Sequence, residues 1–346
     1  MRVDLTGLPA AFLTSEAADV GLDSRRLRTA VRHGTVIRLG RGVYTDPARW
    51  PADDLARHRL LGPAAQRAVA NCALSHVSAA LSHGLPNPRG PLPRPSVTVD
   101  DHIRSPSSGS WMTLYRGALP DAHVEAVDGI RRTAVARTVA DCCRHATVGD
   151  GLAIADAAVR TGRTTPQALR AMRAFQGRWP GSVRTDRVLA LLDPRRESWL
   201  ESWSAAAFDR MELPRWVPQV VVHDASGRFL GRVDGLWPEL GVVAEADGRG
   251  KYLGDVDPTL DRGPDAVARR VLLAGEREVG LRACGLGVVR WTTEEITTRQ
   301  LLVLARWRSE VQRTDPRGIR AQFTCSCCCL PVTSCEIGAD FSLRGA

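Results

Sequence analysis

Two carboxylates interrupt an apolar run in the second half of the chain. The segment reads VVAEADGRGKY, residues 242–252, and contains Glu245 and Asp247 after three apolar residues. Alternate residues of a strand face the same side, so both acids project from one face. Asp234 lies in the preceding β-rich run, and a tight turn between the runs would bring it near Glu245. Like charges that close resist joint ionisation, and a divalent cation would resolve the conflict.

Mg²⁺ (or Mn²⁺) is the cation that such an oxygen-rich site would take, usually through one or two carboxylates plus water and phosphate. A metal there would polarise a phosphoryl oxygen and lower the pKa of a bound water, which then attacks in line. Such a site is suited to metal-assisted hydrolysis. The alternative is a solvent-exposed strand face whose acids pair with nearby arginines.

The elements that must position these acids follow one another from residue 197 onward. Hydrophobic periodicity predicts the order helix, three strands, helix, strand. The predicted helices span 197–211 and about 265–284, and the predicted strands span 216–224, 228–237, 242–247 and 286–292.

This order resembles the core of PD-(D/E)XK nucleases and, more closely, a domain family related to very-short-patch-repair endonucleases. The matching text is SWLES (198–202), Gln219, VD (233–234), WPE (237–239) and EADG (245–248). The resemblance covers about 197–295. It implies that Asp234 and Glu245 hold Mg²⁺, with Glu201 as an outer or third ligand.

The chain departs from the nuclease pattern at one position. Asp247 stands where the superfamily has a Lys that orients water and stabilises charge. Lys251, the only Lys of the chain, would supply the cation from the following loop. Arg249, with Arg277 and Arg290, would hold the phosphates of the scissile strand. The implied catalytic set is Asp234, Glu245, Asp247, Lys251 and Glu201.

A second motif lies near the N-terminus, where residues 12–45 have the order helix, turn, helix, hairpin. Thr14 is predicted to cap the first helix, and Asp23 or Ser24 the second. On a helical wheel, apolar residues of the second helix fall on one side and polar residues on the other. The side predicted to lie along DNA carries Arg25, Arg28, Thr29 and Arg32, and Arg38 and Arg41 on the hairpin would extend it to neighbouring phosphates. The alternative is a solvated face in an Arg-rich protein.

The N-terminal stretch FLTSEAADVGLDSRRLRTAVRHGTVIRLGRGVYTD resembles the winged helix of AbiEi-type antitoxins of type IV toxin–antitoxin systems. Three further landmarks of those proteins follow, at residues 73–86, 95–100 and 131–144. In that family the N-terminal domain is a DNA-binding repressor. The resemblance implies DNA binding for residues 12–45 and a toxin as partner.

The middle region, 55 to about 185, is predicted to form helices with a few short strands. His76 and His83 are seven residues apart and could share a helix face. No acid or Cys completes a ligand set around them, so they are interpreted as packing or surface residues.

Nine cysteines are present, and five of them lie in the tail. Cys325 and Cys328 have C-x-x-C spacing, but a zinc site needs a second pair, and only Cys335 follows, with no His. Residues 314–346 are therefore predicted to be a disordered Cys-rich tail.

Charge and hydropathy bound the choice of partners. The net charge is +9 and the isoelectric point about 9.5, which favours nucleic acid. Nearly all of the basic residues are Arg, which suggests GC-rich coding and weakens that inference. No apolar run spans a bilayer and no signal peptide is recognised, so a cytoplasmic protein without membrane contact is expected.

The sequence as a whole predicts an α/β multidomain protein. The predicted regions are a winged helix-turn-helix (1–50), a mixed α/β middle domain (55–185), a restriction-endonuclease-like α-β-β-β-α-β domain (196–295) and the tail. The main functional hypothesis is a DNA-binding, metal-dependent endonuclease in a toxin–antitoxin or phage-defence setting, with a toxin or defence protein as partner. The alternative is an AbiEi-type antitoxin regulator whose nuclease-like domain is inactive. The oligomeric state stays open.

Overall fold

The computed structural model describes residues 4–102, 111–248 and 264–335, and of residues 264–271 only the backbone. The chain divides into two compact units, here called the first and the second unit. The first comprises residues 1–146 with 162–182, and the second comprises residues 147–161 with 183–346. This differs from the predicted division, because the N-terminal and middle regions form one unit and residues 147–161 belong with the second.

The first unit begins with a three-stranded antiparallel sheet of order β1-β3-β2, consistent with a winged helix. Asp23 caps the second helix by accepting a hydrogen bond from the Arg26 amide at 2.8 Å. Thr14 was predicted to cap the first helix, but it is the first helical residue and Leu13 occupies the cap position. The Leu13 amide donates a hydrogen bond to the Glu16 carboxylate at 2.8 Å. The elements are β1 (Ala11–Leu13), α1 (Thr14–Asp19), α2 (Ser24–Arg32), β2 (Ile37–Gly40) and β3 (Val43–Thr45).

The middle region continues the first unit with a five-stranded mixed sheet of order β6-β5-β4-β8-β7. The small buried residues Ala64 and Ala65 let a helix pack closely on this sheet. The elements are α3 (Asp54–Ala68), β4 (Cys72–Leu74), α4 (His76–Ser82), β5 (Ser96–Val99), β6 (Thr113–Arg116), β7 (Val124–Val127), β8 (Ile130–Thr133), α5 (Val135–His145), α6 (Val148–Arg160, in the second unit) and α7 (Pro166–Gln176).

The second unit is built on a five-stranded sheet of order β12-β11-β10-β9-β13, in which only the β11–β12 pair is parallel. The predicted order helix, three strands, helix, strand runs from α9 to β12. The same order of elements occurs in many folds, so membership of the nuclease superfamily stays a prediction. The elements are α8 (Ser182–Leu191), α9 (Trp199–Arg210), β9 (Val217–Asp224), β10 (Phe229–Trp237), β11 (Val242–Asp247), α10 (Pro264–Ala283), β12 (Gly287–Thr292), α11 (Thr293–Thr298), α12 (Gln300–Arg313) and β13 (Ala321–Cys325).

The core of the second unit includes two different clusters. Phe208 of α9 lies with its ring centroid 4.9–5.6 Å from those of Trp216, Trp237 and Trp291. An aliphatic cluster packs Leu281 of α10 among strand valines. Helix α9 thus packs on the sheet through the aromatic cluster, and α10 packs on it through the aliphatic cluster. This packing holds the strands that carry the acids in place.

The last strand differs from the predicted disorder of residues 314–346. Strand β13 pairs antiparallel with β9, from Ala321 opposite Asp224 to Cys325 opposite Val220. Ile319 and Phe323 are partly buried against the aliphatic cluster, and the pairing satisfies backbone groups of β9 that would otherwise form a sheet edge. The composition of the segment gave no indication of this strand. Residues 336–346 lie outside the described residues.

Candidate nucleic-acid interface and carboxylate cleft

Helix α2 presents a basic stripe, defined here as Arg25, Arg28, Thr29 and Arg32. The three arginines are exposed and Thr29 is half-buried. Leu27 and Ala30 on the other side are buried to 1% exposure in a cluster with Phe12 and Leu22. The spacing i, i+3, i+4, i+7 places the stripe along one face of the helix. The apolar residues thus fix the helix and leave the guanidinium groups free to meet a partner.

The β2–β3 hairpin carries the remaining two predicted DNA-binding residues. Arg38 and Arg41 are both exposed. Gly42 has φ +78°, a conformation that residues with a Cβ rarely adopt, and allows the tight turn between the strands. The structure therefore places all the predicted N-terminal residues on α2 and on the β2–β3 hairpin.

The carboxylate cleft of the second unit is a cavity of about 530 Å³ lined by Asp234, Glu245, Asp247 and Arg277, among others. Strands β10 and β11 pair with Gly235 opposite Ala244, and Asp234 and Glu245 are the next residues on the two strands. The Ala246 amide donates a hydrogen bond of 2.8 Å to Asp234 Oδ2. All three acids therefore line one cleft.

Arginines accompany two of these acids. Arg277 Nη2 lies 3.1 Å from Glu245 Oε2. Arg290 donates from Nε and Nη2 to the two Asp247 oxygens at 2.9 and 2.8 Å, a bidentate pair. These arginines were predicted to hold phosphates, and in the structure they neutralise carboxylates.

Glu201 is anchored by its own surroundings on α9. Its carboxylate accepts from Ser198 Oγ at 2.6 Å and from Gln219 Nε2 at 2.8 Å. Burial raises the pKa of this carboxyl, and the nearby charge of Asp234 raises it further. The hydrogen bonds between Glu201 and Ser198 hold the start of α9 in place.

An Mg²⁺ ion in this cleft would have to complete its coordination shell with water or phosphate. Among the described residues, no three carboxylates bring ligand oxygens within 4.8 Å of one another. Lys251 and Arg249, predicted to act in catalysis and phosphate binding, lie outside the described residues. The Mg²⁺ or Mn²⁺ site therefore stays a prediction.

A cavity of about 240 Å³ in the first unit was not expected from the sequence. His76 lines it and stacks on Tyr115, with ring centroids 3.7 Å apart. Burial lowers the pKa of His76 to about 3, so the ring is neutral. The sequence interpretation of His76 as a packing residue agrees with these contacts. Nothing in its spacing indicated the cavity.

Comparison with known proteins assigns the N-terminal segment. Residues 11–45 match the family described as transcriptional regulator, AbiEi antitoxin. No curated protein matches the chain. The match covers the winged helix and ends before the carboxylate cleft, so the resemblance to AbiEi antitoxins is confirmed for this segment. The endonuclease resemblance stays a prediction. None of the described helices combines the length and hydropathy needed to cross a bilayer.

Proposed function

We propose that the protein is a DNA-binding transcriptional regulator of the AbiEi antitoxin type. The observation that carries this proposal is the basic stripe of α2, exposed over a buried apolar face within the matched segment. In a winged helix the second helix enters the major groove, and the hairpin contacts the neighbouring backbone. The net charge of +9 makes a favourable, salt-dependent contribution to the free energy of DNA binding.

This function gives the predicted partners distinct roles. The DNA partner to test first is the protein's own promoter, because the matched family is described as a transcriptional regulator. A toxin would bind elsewhere on the chain and leave the winged helix available. The alternative functional hypothesis from the sequence thus becomes the leading one.

The test is binding of the full chain to duplex DNA from its own promoter, followed by fluorescence anisotropy at several salt concentrations. Arg28→Ala and Arg32→Ala should each weaken binding and reduce the slope of log K against log salt by about 0.9. Arg26→Ala is the matched control, because Arg26 lies on the same helix but donates to the Gly21 carbonyl at 3.0 Å. Equal affinities for all three variants would exclude the basic stripe as the DNA contact.

A second candidate function is hydrolysis of phosphodiester bonds at the carboxylate cleft. The presence of Asp234 and Glu245 in one open cleft favours it. The ion pairs of Glu245 and Asp247 argue against it, because a paired carboxylate binds a cation less readily. For this reason the regulator is preferred.

A plasmid-nicking assay separates the two functions. The full chain is incubated with supercoiled plasmid and Mg²⁺ or Mn²⁺, beside Asp234→Asn, Glu245→Gln and Glu239→Gln. Glu239 is exposed in the turn between the same two strands and is the matched control. Nicking lost in the first two variants and kept in the third supports hydrolysis. Absence of nicking, with promoter binding intact, supports a regulator with an inactive cleft.

A further inference from the structure

Four cysteines converge at the end of the second unit and are here called the thiol cluster: Cys325, Cys327, Cys328 and Cys335. Their sulfur atoms all lie within 4.8 Å of one another. Cys325 Sγ is 2.7 Å from Cys327 Sγ and 3.4 Å from Cys335 Sγ. Free thiols at such distances crowd one another, and the arrangement becomes favourable when a common cation lies among them.

Backbone hydrogen bonds hold the cluster in place. Cys325 is the last residue of β13, and its amide donates to the Leu330 carbonyl at 2.8 Å. The Cys329 amide donates back to the Cys325 carbonyl at 2.9 Å, which closes the turn that carries the two middle ligands. The Ser326 amide donates to the Gln219 carbonyl at 3.3 Å, so the turn is tied to β9. These bonds preorganise the sulfur atoms.

The surroundings suit a closed, negatively charged centre. Cys325 and Cys335 are 1% and 4% exposed, Cys328 is half-buried and Cys327 is exposed. Four thiolates complete a tetrahedral shell without a water ligand. Four thiolates and one divalent ion carry a net charge of −2. The guanidinium of Arg195 lies beside Cys325 and interacts with its sulfur, while Asp193 Oδ2 holds it at 2.6 Å. Arg195 therefore offsets part of that charge, as partners of metal ligands commonly do.

We propose that the thiol cluster binds one Zn²⁺ ion in a tetrahedral, structural site that fastens β13 to the edge of the sheet. Zn–S bonds of about 2.3 Å place neighbouring sulfurs about 3.8 Å apart. This distance lies between the shortest Sγ–Sγ distance of the cluster, 2.7 Å, and the upper limit of 4.8 Å. An iron–sulfur cluster also takes four cysteines but must fit several atoms between them and needs wider spacing. This set does not follow the usual pattern of two C-x-x-C pairs, because its fourth ligand, Cys327, lies between Cys325 and Cys328.

The experiment uses the full chain, purified under reducing conditions without chelator, with metal content measured by inductively coupled plasma mass spectrometry. One zinc per chain is expected. Cys327→Ser and Cys335→Ser should lose most of it. Cys329→Ser should keep it, because Cys329 lies in the same turn, is exposed and is not part of the cluster.

A second measurement does not depend on the folding of variants. The wild-type chain is stripped and reloaded with Co²⁺, and its visible spectrum should show the bands of a tetrahedral ion with thiolate charge transfer. Absence of stoichiometric zinc together with absence of these Co²⁺ bands would overturn the proposal. So would a disulfide among the four cysteines in the purified protein, or iron with sulfide in place of zinc.

Discussion

Arg277 on α10 donates to Glu245 on β11 across the wall of the carboxylate cleft, with Nη2 3.1 Å from Oε2. The Glu245 side chain is 2% exposed, whereas that of Arg277 is 29% exposed. A buried carboxylate is thus neutralised by a cation at the rim. Two acids of the cleft, Glu245 and Asp247, are thus ion-paired with arginines in the protein.

Removing Arg277 should therefore leave a buried charge without its partner. Arg277→Ala is expected to lower the free energy of unfolding by about 2–3 kcal/mol, below the full cost of a broken buried pair because Arg277 is partly exposed. Arg277→Ala with Glu245→Gln should recover much of the loss. Urea denaturation followed by circular dichroism measures both.

The matched control for this pair is Arg232, which lines the same cleft and pairs with Glu197 at 2.8 Å, with both side chains nearly half exposed. Arg232→Ala should cost less than about 1 kcal/mol. If Mg²⁺ stabilises Arg277→Ala but not the double variant, the Glu245 carboxylate binds the cation once Arg277 is removed. That result would favour hydrolysis at the carboxylate cleft. Equal stabilities of Arg277→Ala and the wild type would refute the ion-pair interpretation.

The two faces of α2 should separate folding from DNA binding. Leu27→Ala opens a cavity among the residues that pack the winged helix and should lower the free energy of unfolding by about 2–5 kcal/mol. Arg28→Ala should change it by less than about 0.5 kcal/mol, since this side chain is exposed. Thermal denaturation and promoter binding, measured on both variants, check the separation. A destabilised Arg28→Ala protein would mean that the basic stripe serves folding.

Acid should destabilise the first unit through His76. Burial lowers the pKa of this ring to about 3, although Asp141 opposes the shift; His145, Arg144 and Arg137 add to it. In the unfolded chain the ring binds a proton near its ordinary pKa of about 6.5, so stability is full above that pH. Below it, stability should fall by about 1.4 kcal/mol per pH unit until the folded ring also titrates.

The variant His76→Asn isolates this contribution. His76 has φ +51°, a conformation that Asn tolerates better than most residues, and Asn does not titrate. Between pH 6.5 and pH 5 the stability of the variant should fall less steeply than that of the wild type. Burial also lowers the pKa values of His58 and His83. These two residues contribute equally to the acid sensitivity of the wild type and of the variant. Parallel curves would show that His76 does not carry the acid sensitivity.

Gly235 should resist enlargement because the aromatic cluster touches its backbone. A Cβ added there would lie 2.2 Å from Cε3 of Trp216, a ring packed against Phe208 and Trp237. Gly235→Ala is expected to lower the free energy of unfolding by about 1–3 kcal/mol. Gly275→Ala on α10 is the control, because a Cβ there meets nothing within 4 Å and Ala favours a helix. A wild-type melting temperature for Gly235→Ala would contradict the packing.

Local patterns in the sequence predicted the two candidate functional regions, for physical reasons. Strand periodicity placed Glu245 and Asp247 on one face, and the short turn made Asp234 the partner of Glu245, because both relations depend only on neighbouring residues. The wheel of α2 separated Leu27 from the arginines for the same reason. Spacing gave no sign that Glu201 is held by Gln219, since that contact joins residues eighteen positions apart.

The amino-acid sequence by itself determined the N-terminal helix, turn and hairpin, the α-β-β-β-α-β order and the clustering of acids on one hairpin. These features depend on periodicity and turn length. Only the tertiary structure decided which charges meet, because ion pairs such as Arg290 with Asp247 are set by the packing of distant segments. It also decided that the Cys-rich segment through Cys335 is ordered, since pairing with β9 brings four sulfur atoms together that the linear spacing did not predict.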